Sequence, residues 1–136
     1  MSKAKAQGTA FEAYTVKSAE HNEVPAFRLA EGGSGDAGDV YLGKLPDTAK
    51  PITVLAWKRL VPTAGASRRR PDGEPVVFVL DETTFWRLAS SYYLEYQLPF
   101  IIECKATERL NVTRTLAKAK DKVNKWWNLN RPVAGV

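Results

Sequence analysis

Apolar and polar positions follow two different periods along the chain, and each change of period marks an element. Phe11, Tyr14 and Ser18 or Ala19 recur at helical spacing, and Thr9-Ala10-Phe11-Glu12 matches the T-x-x-E capping box. The pattern predicts a helix from about Thr9 to His21, with Thr9 as its cap. Residues 24–29 read as a short strand, and Asp39 opens a second strand at 40–42. Between them, Glu-Gly-Gly-Ser-Gly-Asp-Ala-Gly at 31–38 predicts an irregular connection, because its four glycines destabilise any regular element. A polar loop at 43–51 leads to a strand at 52–60, read from its β-branched content. A long loop follows, ending in Arg-Arg-Arg-Pro-Asp-Gly-Glu-Pro, where Pro-Asp-Gly is a turn signal.

Residues 76–80 read as a fully apolar strand, and Asp81-Glu82-Thr83-Thr84 then suits a helix N-terminus. Phe85, Trp86, Leu88 and Ala89 would be that helix's buried stripe. Residues 92–98 carry no clear period. Residues 100–104 read as a strand ending in Glu103-Cys104-Lys105. The last element is a helix over 111–127, with Val112, Leu116, Ala119, Val123 and Trp126 on one stripe and Arg114, Lys118, Lys122 and Lys125 opposite. Strands and helices interleave throughout, which predicts an α/β domain with a mixed central sheet flanked by helices.

At 136 residues, the chain fits one core. Residues 1–7, with Lys3 and Lys5 among small residues, are expected to be a flexible basic arm, and 8–136 the single domain. Apolar runs of about five residues are far short of the roughly 20 that span a bilayer, so no membrane partner is expected. One cysteine and one histidine exclude an internal disulfide and a cysteine- or histidine-rich zinc cluster, and point to a reducing, cytoplasmic location. The net charge of +5 is uneven: residues 105–136 carry 8 basic and 2 acidic side chains, while Arg68, Arg69 and Arg70 stand in a net acidic middle. Two separate basic clusters point to nucleic acid.

Gly33-Ser34-Gly35-Asp36-Ala37-Gly38 matches the G-x-G-x-x-G of dinucleotide-binding turns, but that mechanism needs a helix at the third glycine, where this sequence predicts a strand. Glu103-x-Lys105 is more informative. Side chains alternate along a strand, so both project from one face about 7 Å apart. A carboxylate there helps hold a divalent cation, and a lysine orients water or stabilises charge on a phosphate. Asp39 supplies a second ligand if its strand neighbours that of Glu103, and Glu12, facing inward from the first helix, completes the shell. Cys104, inside the motif, is counted with this metal set. The same residues also read structurally: Glu103 and Lys105 as an exposed ion pair, Glu12 as the third residue of a capping box, Asp39 as the end of a turn.

Gly8-Thr9-Ala10-Phe11-Glu12, Phe27-Arg28-Leu29, Gly32-Gly33-Ser34-Gly35, Gly38-Asp39-Val40 and Ile101-Ile102-Glu103-Cys104-Lys105-Ala106-Thr107 together resemble the archaeal-type Holliday-junction resolvases of the PD-(D/E)xK nuclease superfamily. The resemblance covers about 45 residues in two blocks. It implies a restriction-endonuclease-like fold and a homodimeric, Mg2+-dependent endonuclease, with Mn2+ as a substitute, that nicks four-way DNA junctions symmetrically. It also implies that Glu12, Asp39 and Glu103 bind metal, that Lys105 is catalytic and that Ser34 assists. In such resolvases the E-x-K strand follows the Asp strand after a short hairpin, whereas here 64 positions separate Asp39 from Glu103. The order implies a rearranged or circularly permuted domain. Ala56-Trp57-Lys58 falls where a conventional E-x-K would stand but lacks the acid, leaving Lys58 as a DNA contact. Pro71-Asp72 matches the literal "PD" but reads as a turn tip. Expected DNA contacts are Lys3, Lys5, Arg28, Lys58, Arg68, Arg69, Arg70, Arg109 and Arg114. The rival functions are a catalytically silent DNA-binding module and a restriction- or flap-type nuclease.

Overall fold

The computed structural model describes residues 3–29, 37–44, 49–59, 75–77 and 82–130, apart from the side chains of 3–7, 75–77 and 130. Helix α1 (Lys3–His21) is followed by strands β1 (Ala26–Arg28), β2 (Val40–Leu42), β3 (Ile52–Arg59) and β4 (Pro75–Val77), then α2 (Glu82–Tyr96), β5 (Phe100–Thr107) and α3 (Val112–Asn130). The strands form one mixed sheet in the order β1-β2-β5-β3-β4. The expected α/β class with a helix-flanked mixed sheet is therefore the observed one. No helix among the described residues is long and apolar enough to cross a membrane.

The last strand in the chain is the middle strand of the sheet. β5 pairs antiparallel with β2 along Val40↔Ile102 to Leu42↔Phe100, and parallel with β3 over its whole length, from Ile52↔Phe100 to Arg59↔Thr107. A strand covered on both faces needs apolar residues at successive positions. Phe100, Ile101, Ile102 and Cys104 meet that need, and Glu103 is buried among them. Phe100, Ile102, Cys104 and Ala106 belong to a core with Phe11 and Ala19 of α1 and Phe85, Trp86 and Ala89 of α2. On the opposite face Ile101 packs with Tyr41, Val123 and Trp126, so α3 covers that side.

Two helix boundaries stand out against expectation. α1 begins at Lys3, so residues 3–7 are helical rather than a flexible arm, and Thr9 lies inside the helix rather than capping it. Alanines at 4, 6, 10 and 13 favour helix strongly enough to carry it past Gly8, and the capping-box signal was purely local. α2 runs through the unassigned 92–96. Its buried residues are Phe85, Trp86, Ala89 and Tyr93, whereas Leu88 is 41% exposed at the margin of that stripe. On α3, Ala119 and Val123 are buried as expected, and Trp126 packs on Tyr41 with ring centroids 6.0 Å apart. Asn111 caps α3, its side-chain oxygen accepting from the Arg114 amide at 3.0 Å.

Among the described residues Glu23, Gly38, Gly43 and Gln97 have positive φ. Glu23 (φ 63°) closes α1 in a Schellman arrangement: its amide donates to Glu20 O at 3.0 Å, and the Val24 amide donates to Ala19 O at 2.9 Å. Gly38 (φ 144°) sits where a Cβ would come within 2.6 Å of Ile101 Cγ2. Glu23→Gly is expected to stabilise the fold by up to about 1 kcal/mol by relieving the Cβ strain. Gly38→Ala is expected to cost about 2 kcal/mol or more through conformation and overlap together. Urea denaturation of the two variants checks both signs; equal effects would refute the backbone assignment.

Candidate functional site

The site lies where β2 and β5 meet. Asp39 directly precedes β2, next to the Val40↔Ile102 pair, and Glu103 directly follows Ile102 on β5. The Asp39 amide donates to Ile102 O at 3.1 Å, and its carbonyl accepts from the Leu29 amide at 2.9 Å, so its backbone is tied to both neighbours. Its Oδ2 accepts from the Cys104 amide at 2.7 Å. Asp39 and Glu103, 64 positions apart in the chain, are thus brought together by the neighbouring strands that their sharing a cation requires.

Glu103 is 4% exposed. Its Oε1 receives two ammonium groups, Lys122 Nζ at 3.1 Å and Lys105 Nζ at 3.6 Å. Its Oε2 is buried with no hydrogen-bond partner among the described residues. The bare Cα of Gly38 borders this oxygen: a Cβ there would stand 3.5 Å from it. A buried carboxylate oxygen without a donor is costly, and a bound cation is one standard resolution. Two neighbouring carboxylates, one with a buried oxygen that has no hydrogen-bond partner among the described residues, fit a hard divalent ion. Among the described residues no group of three His, Cys, Asp or Glu side chains converges as a metal cluster. Glu12 instead gives Oε1 to Arg28, with Nη2 at 3.2 Å and Nε at 3.3 Å, while its charge still reaches Asp39.

Burial, and next the charge of Glu103, push the Asp39 carboxyl from its ordinary 3.8 up to about 7, against the opposing pull of the Cys104 amide and Lys105. Cys104 does not present a ligand. Its side chain points to the α1 face, where Sγ lies 3.7 Å from Thr15 Oγ1, and burial pushes its thiol up, away from the thiolate that metals take. Strand alternation makes this necessary: if Glu103 and Lys105 face α3, Cys104 cannot. What Cys104 contributes is its amide.

The other expected residues divide by place. Lys105 lies at the site, its side chain 39% exposed. Lys58 stands in register with Ala106, on the face away from Glu103. Arg28 is paired with Glu12 yet 42% exposed, while Arg109 and Arg114 are exposed at the start of the basic C-terminal segment. Ser34, Arg68, Arg69, Arg70 and Asp72, and the side chains of Lys3 and Lys5, lie outside the described residues. The Gly38-Asp39 step leads into β2 and not into a helix, which removes the dinucleotide reading. Lys122 is the correction of most consequence. Expected on the solvent face of α3, it is half-buried on Glu103. It lies three residues after Ala119, one before Val123 and four before Trp126, so it borders the apolar stripe, and that adjacency was the signal available in the sequence.

Comparison with protein-family models, curated proteins and solved structures finds no match to the chain. The chemistry of the site therefore rests on its geometry.

Between the ordinary aspartate value and about 7, the folded chain holds a proton at Asp39 that the unfolded chain has released, so stability falls as pH rises through that window. Asp39→Asn, which keeps an acceptor for Cys104 without the charge, is expected to raise the melting temperature in chelator more at pH 8 than at pH 5, by roughly 5–10 °C. A pH-independent difference between variant and parent would contradict the burial of this acid.

Proposed function

We propose that the protein is a metal-dependent, structure-selective DNA endonuclease that hydrolyses phosphodiester bonds at four-way junctions. The observation that carries this reading is the buried Glu103 carboxylate, with Oε2 lacking a hydrogen-bond partner among the described residues, near Asp39 and beside Gly38. Asp39 and Glu103 would hold Mg2+, or Mn2+ in its place. Such an ion, when bound, polarises a phosphoryl oxygen and lowers the pKa of a bound water.

The protein's own groups do the positioning. The Cys104 amide fixes Asp39, and Lys105, half-exposed at the strand end, stabilises charge developing on the phosphate and orients the attacking water. Glu12 orients Arg28, whose exposed guanidinium offers a bidentate fork to a neighbouring phosphate. Arg109 and Arg114, together with Lys3, Lys5, Ser34, Lys58 and Arg68 to Arg70, are assigned as contacts along the DNA or at the cut. A homodimer with isologous symmetry places two such sites on opposed strands, as paired nicks require. A cytoplasmic setting, that of the host cell if a phage supplies the protein, belongs to the same reading.

One observation favours a second reading, a catalytically silent DNA-binding module. Lys122 and Lys105 already neutralise Glu103 from within the chain, as stabilising partners would in a site that takes no metal.

Incubation with a four-way junction, a linear duplex and a flap, with and without Mg2+, separates the readings. Paired Mg2+-dependent nicks in the junction are expected, reduced at least about 100-fold by Glu103→Gln, Asp39→Asn or Lys105→Met and retained in Asp72→Asn. Preferential cutting of duplex or flap indicates the other substrate classes. Junction binding with no cleavage of any substrate indicates the silent module.

A further inference from the structure

Lys122 has no role in the sequence motif, yet it is the closer of the two cations on Glu103. Its Nζ lies 3.1 Å from Oε1, against 3.6 Å for Lys105, and its side chain is 36% exposed. The helix that carries it is fixed: Val123, the next residue, is 1% exposed against the sheet, and Ala119 and Trp126 flank it on the same stripe. The stem of Lys122 is therefore anchored at the site while its ammonium reaches the mouth. Lys105, by contrast, is held in the strand itself, two residues along the same face.

Both ammonium groups contact one oxygen of Glu103, and the other oxygen has no hydrogen-bond partner among the described residues. A divalent ion shared by Glu103 and Asp39 would lie close to the Lys122 ammonium, in a buried setting where like charges repel strongly. We propose that Lys122 and the divalent ion compete for Glu103, so that Lys122 is a positioning residue that sets how tightly the site takes its cation. The anchored, half-exposed lysine is drawn outward when a polyanion offers a phosphate in exchange, so cation uptake is coupled to DNA binding. By linkage, DNA then tightens the cation as much as the cation tightens DNA. The inference rests on the metal-binding reading of the site and adds to it a determinant that the Glu-x-Lys motif does not contain.

The experiment is a calorimetric titration of the protein with Mn2+ alone, in the absence of DNA. Lys122→Met is expected to bind Mn2+ roughly tenfold more tightly than the parent, since an adjacent positive charge has been removed. Lys122→Gln, which retains a hydrogen-bond donor for Glu103 if the methionine variant folds poorly, should behave in the same way. Lys122→Arg should stay weak. Lys125→Met, which removes an equal charge from an exposed position of the same helix, should change the affinity little. If the parent binds Mn2+ and the uncharged Lys122 variants bind it no better, or if Lys125→Met gives the same gain, the competition is refuted while the metal site stands. If neither the parent nor any Lys122 variant binds Mn2+, the metal reading itself fails and takes the inference with it.

Discussion

The hydrogen bond from the Cys104 amide to Asp39 Oδ2 is the contact on which the rest of the site depends. Just after Gly38 (φ 144°), where β2 begins, the Cys104 amide finds its acceptor in a side chain. The carboxylate of Asp39 supplies it. One bond of 2.7 Å thus ties the start of β2 to β5 and holds an acid near the acid of Glu103. Burial first, and the charge of Glu103 second, oppose ionisation of Asp39 and displace its pKa upward to about 7. The sheet and the candidate site therefore cannot be perturbed independently.

Gly38 serves the same junction from the other side. A side chain there would strike Ile101 and fill the space next to Glu103 Oε2. Both requirements fall on one position, and the positive φ restricts it further. An inverted order of elements brings this about: β5, late in the chain, inserts between β2 and β3 and joins an antiparallel neighbour to a parallel one. The central place of β5 buries the backbone of its Glu-x-Lys segment, while α3 lies over the face on which Glu103 and Lys105 project.

The parts of this arrangement that were legible in the sequence are those written in local pattern. The continuous apolar run of β5, the β-branched β3 and the stripe of α3 each follow from burial on one or two faces, and each appears within two or three residues of its expected bounds. That Asp39 would lie beside Glu103 was readable only as a condition, because strand neighbours are set by packing over the whole chain. The misreadings have physical causes. The Thr9 capping box is real in sequence, but an alanine-rich segment before it continues the helix to Lys3. Cys104 was grouped by its place in the motif, whereas the period of two in a strand turns it to Thr15. Lys122 was placed by charge, yet a long lysine at the border of an apolar stripe can lay its stem along the sheet and bring its ammonium to a buried acid.

That last point changes the meaning of the net charge. The basic C-terminal segment suggested a surface for an anionic partner, but two of its lysines, Lys105 and Lys122, turn onto Glu103, and Arg28 turns onto Glu12. Glu12 is thus matched by Arg28, and Glu103 by Lys105 and Lys122. Arg109, Arg114, Lys118, Lys120 and Lys125 are exposed and carry the outward charge of the segment. A basic exterior around a self-neutralised interior attracts a polyanion at long range, while at short range each internal ion pair must be exchanged before either partner engages a new one. On the proposed reading, the balance held inside the site, rather than the excess on its surface, is what a phosphate and a cation would have to overturn together.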